Sequence, residues 1–341
     1  MMYSVDLTHP DLSFRSGHLK MGGMNPQGVE INANSRFLTL GGKPWLPVMG
    51  EFHFSRYPQA GWRTELLKMK AGGISIVATY LFWIHHEETE GEWDWSGQRD
   101  LRRFVMECGE AGLLAYPRIG PWAHGECRNG GFPDWLLKKC GAAVRQDAEP
   151  YLSYVRLLYR QIACQLEGLL WKDGGPVIGV QLENELIHNA DHIRTLKRLA
   201  QEAGMEVPLY TMTGWGPAEV PQDEVLPLFG GYPDAFWVRQ VEDWARECRR
   251  QYVFSPGRND DLIGEDLLPR QEVGDLSYLE RYPYLTCELG GGMQVSYHRR
   301  PFIVPDDVAA PLITKLGSGS NLPGYYMYHG GSNPAGKRTT L

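Results

Sequence analysis

Short apolar runs rich in β-branched and aromatic residues alternate along this chain with longer stretches whose apolar positions recur at three and four residues. Eight of the short runs read as strands: PWLPVMGEFHF (44–54), ISIVATYLFW (74–83), LLAYPRIG (113–120), PVIGVQLENE (176–185), PLYTMTGW (208–215), EVLPLFGGY (224–232), YLTCELGG (284–291) and GYYMYHGG (324–331). Helical spacing occupies the stretches between them, at 62–73, 97–112, 150–168, 192–204, 234–252 and 305–317, and several of these close on glycine. Only the link between the fifth and sixth runs lacks a helical pattern. Strict alternation of strand and helix predicts a parallel sheet with helices outside it, and eight such units in about 290 residues fit a (β/α)8 TIM barrel. A doubly wound sheet is the competing α/β architecture. No GxGxxG or Walker loop follows the first strand, so the usual function of that architecture has no support.

The barrel is expected over 44–341, preceded by a short N-terminal β extension, 1–43. Within the extension EINANSRFLTLGGKP (30–44) reads as a hairpin closed by Gly41-Gly42 and is expected to pack on the bottom or edge of the barrel. The Gly-, Asp- and Pro-rich segment 255–275 reads as a surface loop near the active face.

Composition and charge narrow the partners. A formal charge of -7 without a long basic run argues against nucleic acid, and the pairs Arg249-Arg250 and Arg299-Arg300 are too short to form a basic patch. No apolar run approaches the ~20 residues of a membrane helix, and the N-terminal residues carry no charged leader or apolar signal core. A cytoplasmic protein with no membrane association is expected. The six scattered cysteines include no CxxC pair, which suggests reduced, mostly buried thiols rather than a zinc knuckle or disulfide framework. His188 and His192 have metal-ligand spacing but no third ligand, and His85-His86-Glu87-Glu88 does not make HExxH. Both histidines of the first pair are expected at the surface of a helix start. Ser332 in GGSNP lacks the GxSxG elbow of an esterase. No metal or organic cofactor is called for.

In a barrel, side chains at the carboxyl ends of the strands converge on one face. Glu185 ends the fourth strand and Glu288 the seventh, so two carboxylates from different sides of the mouth can meet across a substrate. Glycoside cleavage needs such a pair, one acid to protonate the leaving oxygen and one carboxylate to stabilise or attack the oxocarbenium-like centre. Solvated or helix-capping acids are the alternative. Against it stand Asn184, a neutral donor beside Glu185, and two further acids, Glu51 and Glu126, at or just after the ends of the first and third strands. Glu183, one residue before Asn184, is expected to point away and to be structural.

These residues carry a family resemblance. PRIGPWAHGECRNGGFPDWLL (117–137) resembles the RPGPY-x-x-A-E-W-N-x-GG-x-P-x-WL block of glycoside hydrolase family 35, the β-galactosidase family. LLKMKAGGISIVATYLFWIHHE, GGPVIGVQLENEL and YYMYHGGSN are similar to three further blocks of that family, in the same order and spacing. The resemblance runs from about Arg36 to Asn333. It implies that Glu185 is the general acid/base and Glu288 the nucleophile of a retaining exo-β-glycosidase, with Asn184 on the sugar 2-hydroxyl. It also implies sugar-site roles for Glu126, Tyr80 and Tyr326.

Departures from the family pattern surround the pocket and spare both acids. His124, Gly125, Glu126 and Cys127 stand where the family has Cys-Ala-Glu-Trp, ENELI replaces ENEYG, and Gly290 to Met293 replace an aromatic segment after the nucleophile. His124 is a candidate for binding a hydroxyl or acidic substituent, with a rim histidine bonded to a carbonyl as the alternative. Trp122 and Trp83 are candidates for stacking on a sugar, with core packing as the alternative. The expected substrate is an oligosaccharide or glycoside with a terminal β-galactosyl residue. An exo-β-glycosidase of other specificity, such as a β-glucosaminidase, and a carbohydrate-binding barrel with idle acids are the other readings. Family members continue into β-rich domains that this chain, ending at Leu341, is expected to lack. Neither sugar linkage nor oligomeric state is legible.

Overall fold

The computed structural model describes residues 13–215, 218–232, 252–254, 280–290 and 302–339. A small antiparallel sheet comes first, with strands β1 (Gly23–Met24), β2 (Glu30–Ala33), β3 (Leu38–Leu40) and β4 (Lys43–Trp45) in that order. The two-residue turn between β3 and β4 is Gly41-Gly42, at φ 58° and 74°, the left-handed pair that a tight hairpin between twisted strands requires. The expected hairpin is therefore β3–β4, and β2 adds a third strand to it.

The barrel itself is β5 (Met49–Phe52), β6 (Ile76–Tyr80), β7 (Leu114–Arg118), β8 (Gly179–Gln181), β9 (Leu209–Thr213), β10 (Leu226–Gly231), β11 (Tyr284–Leu289) and, after a short β12 (Ser320–Leu322), β13 (Gly324–His329). Parallel pairing runs from β5 to β10 in sequence order, β10 pairs β11, and β13 closes the ring between β11 and β5. All eight expected runs contain a barrel strand. The first begins later than expected, because Pro44 and Trp45 belong to β4 and Pro47, which has no N–H to give a ladder, lies in the break before Met49. Strands covered on both faces need apolar residues throughout rather than alternation, and IVATY of β6 is buried at every position.

Helices α1 (Trp62–Ala71), α2 (Trp83–His86), α3 (Leu101–Glu110), α4 (Asp134–Cys140), α5 (Tyr151–Leu166), α6 (Ala190–Glu202) and α7 (Pro305–Gly317) lie among the strands. In α1 the buried residues are Trp62, Glu65, Leu66 and Met69, and in α3 Leu101, Phe104, Val105 and Cys108 recur at the same spacing, one inward stripe on each helix. Phe104 meets Phe52 of β5 edge-on at 5.4 Å and Trp62 at 5.3 Å, so strand and helices share one aromatic layer. The expected helix at 234–252 and loop at 255–275 lie outside the described residues, apart from 252.

The N-terminal sheet lies at the amino ends of the strands. The N–H of Gly22 donates to the Pro208 carbonyl just before β9 (2.7 Å), and that of Lys20 to the Asp223 carbonyl just before β10 (2.8 Å). The N-terminal sheet therefore sits away from the carboxyl ends. Among the described residues no helix is long and apolar enough to cross a membrane, and the described cysteines, Cys108, Cys127, Cys140, Cys164 and Cys287, are free thiols.

Candidate active site

Every barrel strand delivers one or more polar side chains to the same end: Glu51 from β5, Tyr80 from β6, Arg118 from β7, Asn184 and Glu185 after β8, Thr213 from β9, Tyr232 after β10, Glu288 from β11 and Tyr326 from β13. Their centre is Arg118, the last residue of its strand and 1% exposed. Its Nη1 donates to Glu51 Oε2, and its Nη2 to both Glu288 Oε1 and Asn184 Oδ1, each at 2.6 Å. The guanidinium carbon lies 3.8 Å from the centroid of the Tyr80 ring, which supplies a π face beneath the cation. Burial opposes the charge, but Glu51 and Glu288 outweigh it and hold Arg118 well above the usual guanidinium range.

Glu51 is not a rim acid. Although burial raises its carboxyl, Arg118 and His53 more than reverse this and hold it ionised. His53 Nε2 lies 3.0 Å from Glu51 Oε1, while His53 Nδ1 lies 2.9 Å from Arg56 Nη1. A guanidinium only donates, so Nδ1 accepts and the proton sits on Nε2, facing Glu51. Arg56 continues outward to Asn333 Oδ1 at 2.8 Å and the Gly125 carbonyl at 2.5 Å. Charges of alternating sign thus run from Glu288 through Arg118 and Glu51 to Arg56.

Glu185 and Glu288 have opposite surroundings. Glu288 accepts from Arg118 and, at 3.0 Å, from the Tyr232 hydroxyl, whose own pKa burial pushes well up so that it stays a donor. Burial, with the Glu51 charge, pushes Glu288 up too, and it stays above the usual carboxylate value although Arg118 and Tyr232 pull it down. Among the described residues no lysine or arginine pairs with Glu185. Burial, followed by the Glu288 charge, pushes its carboxyl up from 4.5 to about 8, with Arg118 and the Trp215 indole offsetting only part. The two acids titrate as a pair, and the arginine-bonded Glu288 leaves the shared proton to Glu185.

Glu185 lies beyond the end of the β8 ladder, not on it, because the strand stops at Gln181 and the chain turns through Glu183 at φ 56° and Glu185 at φ 52°. His124 at φ 53° and Glu126 at φ 47° sit in the same left-handed region, which costs roughly 1–2 kcal/mol at each non-glycine position. Surrounding contacts hold the turns. The N–H of Glu185 donates to Thr213 Oγ1, and buried Glu183 accepts from Arg145 Nη2 at 2.8 Å, the structural role expected of it. Asn184 Nδ2 points at His124 Nδ1 (3.1 Å), which also lies 3.3 Å from Glu185 Oε2.

The Tyr326 hydroxyl donates to Glu126 Oε2 at 3.2 Å, joining two of the proposed sugar-site residues on the rim. Trp122 is half-buried, edge-on to His124 at 5.1 Å, with the Arg145 guanidinium 4.9 Å from its ring centroid. Gly130 leaves room for that indole, since a Cβ there would lie 2.3 Å from the ring. Trp83 faces no sugar: it is 1% exposed and donates to Glu87 at 2.7 Å, so core packing holds. His192 is likewise buried rather than at the surface, with Nδ1 2.6 Å from Asp147, while His188 lies toward Glu219. Sequence reasoning missed Arg118, His53, Arg56, Thr213 and Tyr232. Arg118 alone had a signal, a lone cation closing the apolar run LLAYPRIG.

Two carboxyls in unlike surroundings thus stand at the carboxyl end of a closed (β/α)8 barrel. The chain belongs to the glycosyl hydrolases family 35, whose sequence profile matches residues 37–336. It is 37% identical to a β-galactosidase of Bos taurus over 185 residues, covering 53% of this chain and 28% of that protein. It is 28% identical to β-galactosidase 7 of Oryza sativa subsp. japonica over 312 residues, covering 90% of this chain and 37% of that protein. The matched segments thus span well under half the length of these relatives. Among solved structures the fold is similar to a β-galactosidase from Marinomonas ef1 (TM-score 0.58, 14% identity, covering 83% of this chain and 54% of that one). An exo-β-1,4-mannosidase from an Opitutaceae bacterium is also similar (TM-score 0.54, 17% identity, covering 93% of this chain and 55% of that one).

Proposed function

We propose that this barrel is a retaining exo-β-glycosidase that removes terminal non-reducing β-galactosyl residues by double displacement. The observation that carries the reading is the unequal acid pair, Glu185 with its proton held to about pH 8 and Glu288 under two hydrogen-bond donors. Glu288 attacks the anomeric carbon as Glu185 gives its proton to the departing oxygen, forming a glycosyl ester on Glu288. Glu185, now ionised, takes a proton from water, which attacks the anomeric carbon and releases the sugar with its configuration retained. Asn184 offers its amide to the 2-hydroxyl, and Glu126 and Tyr326 take other hydroxyls. Galactose as the sugar rests on the β-galactosidase relatives, while His124, Gly125 and Cys127 depart from the family pattern that the sequence resembles.

The test is hydrolysis of nitrophenyl β-galactoside, β-glucoside, β-glucosaminide, β-fucoside and α-arabinoside, with Glu288→Gln as control. Turnover fastest on the β-galactoside and lost in the variant is expected. Faster turnover of the β-glucosaminide replaces the sugar assignment, and saturable galactose binding with no turnover replaces the enzyme with a binding barrel.

A further inference from the structure

We propose that Phe82 and Arg56 are positioning residues for Glu126: the phenyl ring as a floor and the guanidinium as a clamp hold the turn through Gly125 in place and so fix where the Glu126 carboxylate meets the terminal sugar. The inference rests on the sugar-site reading of Glu126. His124, Gly125 and Glu126 follow one another at φ 53°, 57° and 47°, all left-handed. Such a run persists only where its surroundings over-determine it. The Cys127 N–H closes the turn on the His124 carbonyl at 3.1 Å, but a bond within the turn does not set where the turn stands in the barrel mouth.

Phe82 and Arg56 do set it. Phe82, just after β6, is fully buried, with its ring edge-on to His53 at 5.7 Å and tilted against Tyr80 at 5.6 Å. A Cβ added to Gly125 would lie 2.5 Å from Cε1 and 2.9 Å from Cζ of that ring, so the turn rests on it with no room for a methyl group. The Arg56 guanidinium lies 4.7 Å from the centroid of the same ring and donates from Nη2 to the Gly125 carbonyl at 2.5 Å. It is not free to swing away, because Nη1 is held by His53 Nδ1 and Nε by Asn333 Oδ1. Gly125 is thus buried and gripped, whereas Glu126, one residue on, is exposed and accepts from the Tyr326 hydroxyl. Any displacement of Gly125 carries that carboxylate with it.

The test is calorimetric binding of galactose to the wild type, Glu126→Ala, Gly125→Ala, Gly125→Ala with Phe82→Leu, and Arg56→Lys, each with its Tm. Glu126→Ala is expected to weaken binding by about 10- to 100-fold, as the loss of a charged hydrogen bond does, and Gly125→Ala by about 10-fold as that bond is misaligned. Leucine at 82 lacks Cε1 and Cζ, so the double variant should recover part of the loss. Arg56→Lys keeps the charge but not the fork and should weaken binding by about 3- to 10-fold, which carries the test if Gly125→Ala does not fold. A merely structural clamp would lower Tm and leave the affinity of the folded protein unchanged. With Glu126→Ala weakened, wild-type affinity in Gly125→Ala or Arg56→Lys, or a double variant no tighter than Gly125→Ala, overturns the inference. Wild-type affinity in Glu126→Ala removes instead the sugar role of Glu126 on which the inference rests. A wild type that does not bind galactose overturns the sugar assignment alone, and the series is then read with the sugar of the nitrophenyl glycoside turned over fastest.

Discussion

Glu51 and Glu288 accept from opposite nitrogens of one guanidinium, that of Arg118, each at 2.6 Å, with all three side chains in the barrel interior. One cation thus orients the nucleophile and neutralises the carboxylate behind it. Arg118→Met leaves two buried carboxyls without their cation, and breaking such a contact costs about 3–5 kcal/mol. Thermal unfolding should show the loss. Adding Glu51→Gln should recover part of it, and a double variant no more stable than the single would mean that the pairing with Glu51 is not what the cation stabilises.

Glu185 ties stability to pH. Its carboxyl is raised from 4.5 to about 8 in the fold, so the folded protein holds this proton more tightly than the unfolded chain does. The contribution is fully present below about pH 4.5 and is lost as pH rises through about 8, a change on the order of a few kcal/mol. Glu185→Gln has no proton to lose. Its Tm relative to wild type should rise from pH 5 to about 8 and level off above that, and a gap independent of pH would contradict the raised carboxyl.

Glu185→Ala separates acid from base. Alkyl glycosides, with poor leaving groups, should slow by about 10²–10⁴ in kcat/KM, and dinitrophenyl glycosides much less. Azide should accelerate the dinitrophenyl substrates and yield the β-glycosyl azide. Equal losses on both substrates would remove Glu185 from the acid role.

Gly130→Ala tests the support of the rim. The new Cβ falls 2.3 Å from the Trp122 ring at a φ of 60°, so both sterics and backbone oppose it. A loss of roughly 1–3 kcal/mol in stability is expected, with a shifted tryptophan emission and lower kcat/KM. Unchanged emission and kinetics would show that the Trp122 position does not matter to the site.

Barrel order was legible because a strand buried on both faces has to be an apolar run, and the carboxyls of Glu185 and Glu288 stand out against such runs. The end of the fourth strand was not. PVIGVQLENE reads as one strand, yet pairing stops at Gln181, where turns held by Thr213 and Arg145 take over. His53, Arg56 and Tyr232 carried no signal either, since a buried polar residue is interpretable only through partners distant in sequence. Tyr232 and Glu288, which are hydrogen-bonded, are 56 positions apart.

His124 and Glu185 hold backbone conformations that glycine would adopt without strain. At these two positions heat resistance and chemistry make opposite demands. A population of variants screened only for surviving heat would drift toward glycine at both, gaining robustness while discarding the imidazole and the carboxyl. Conversely, a screen for activity would keep these side chains and reward new stabilising changes elsewhere, away from the mouth, as in α1, α3 and the N-terminal sheet.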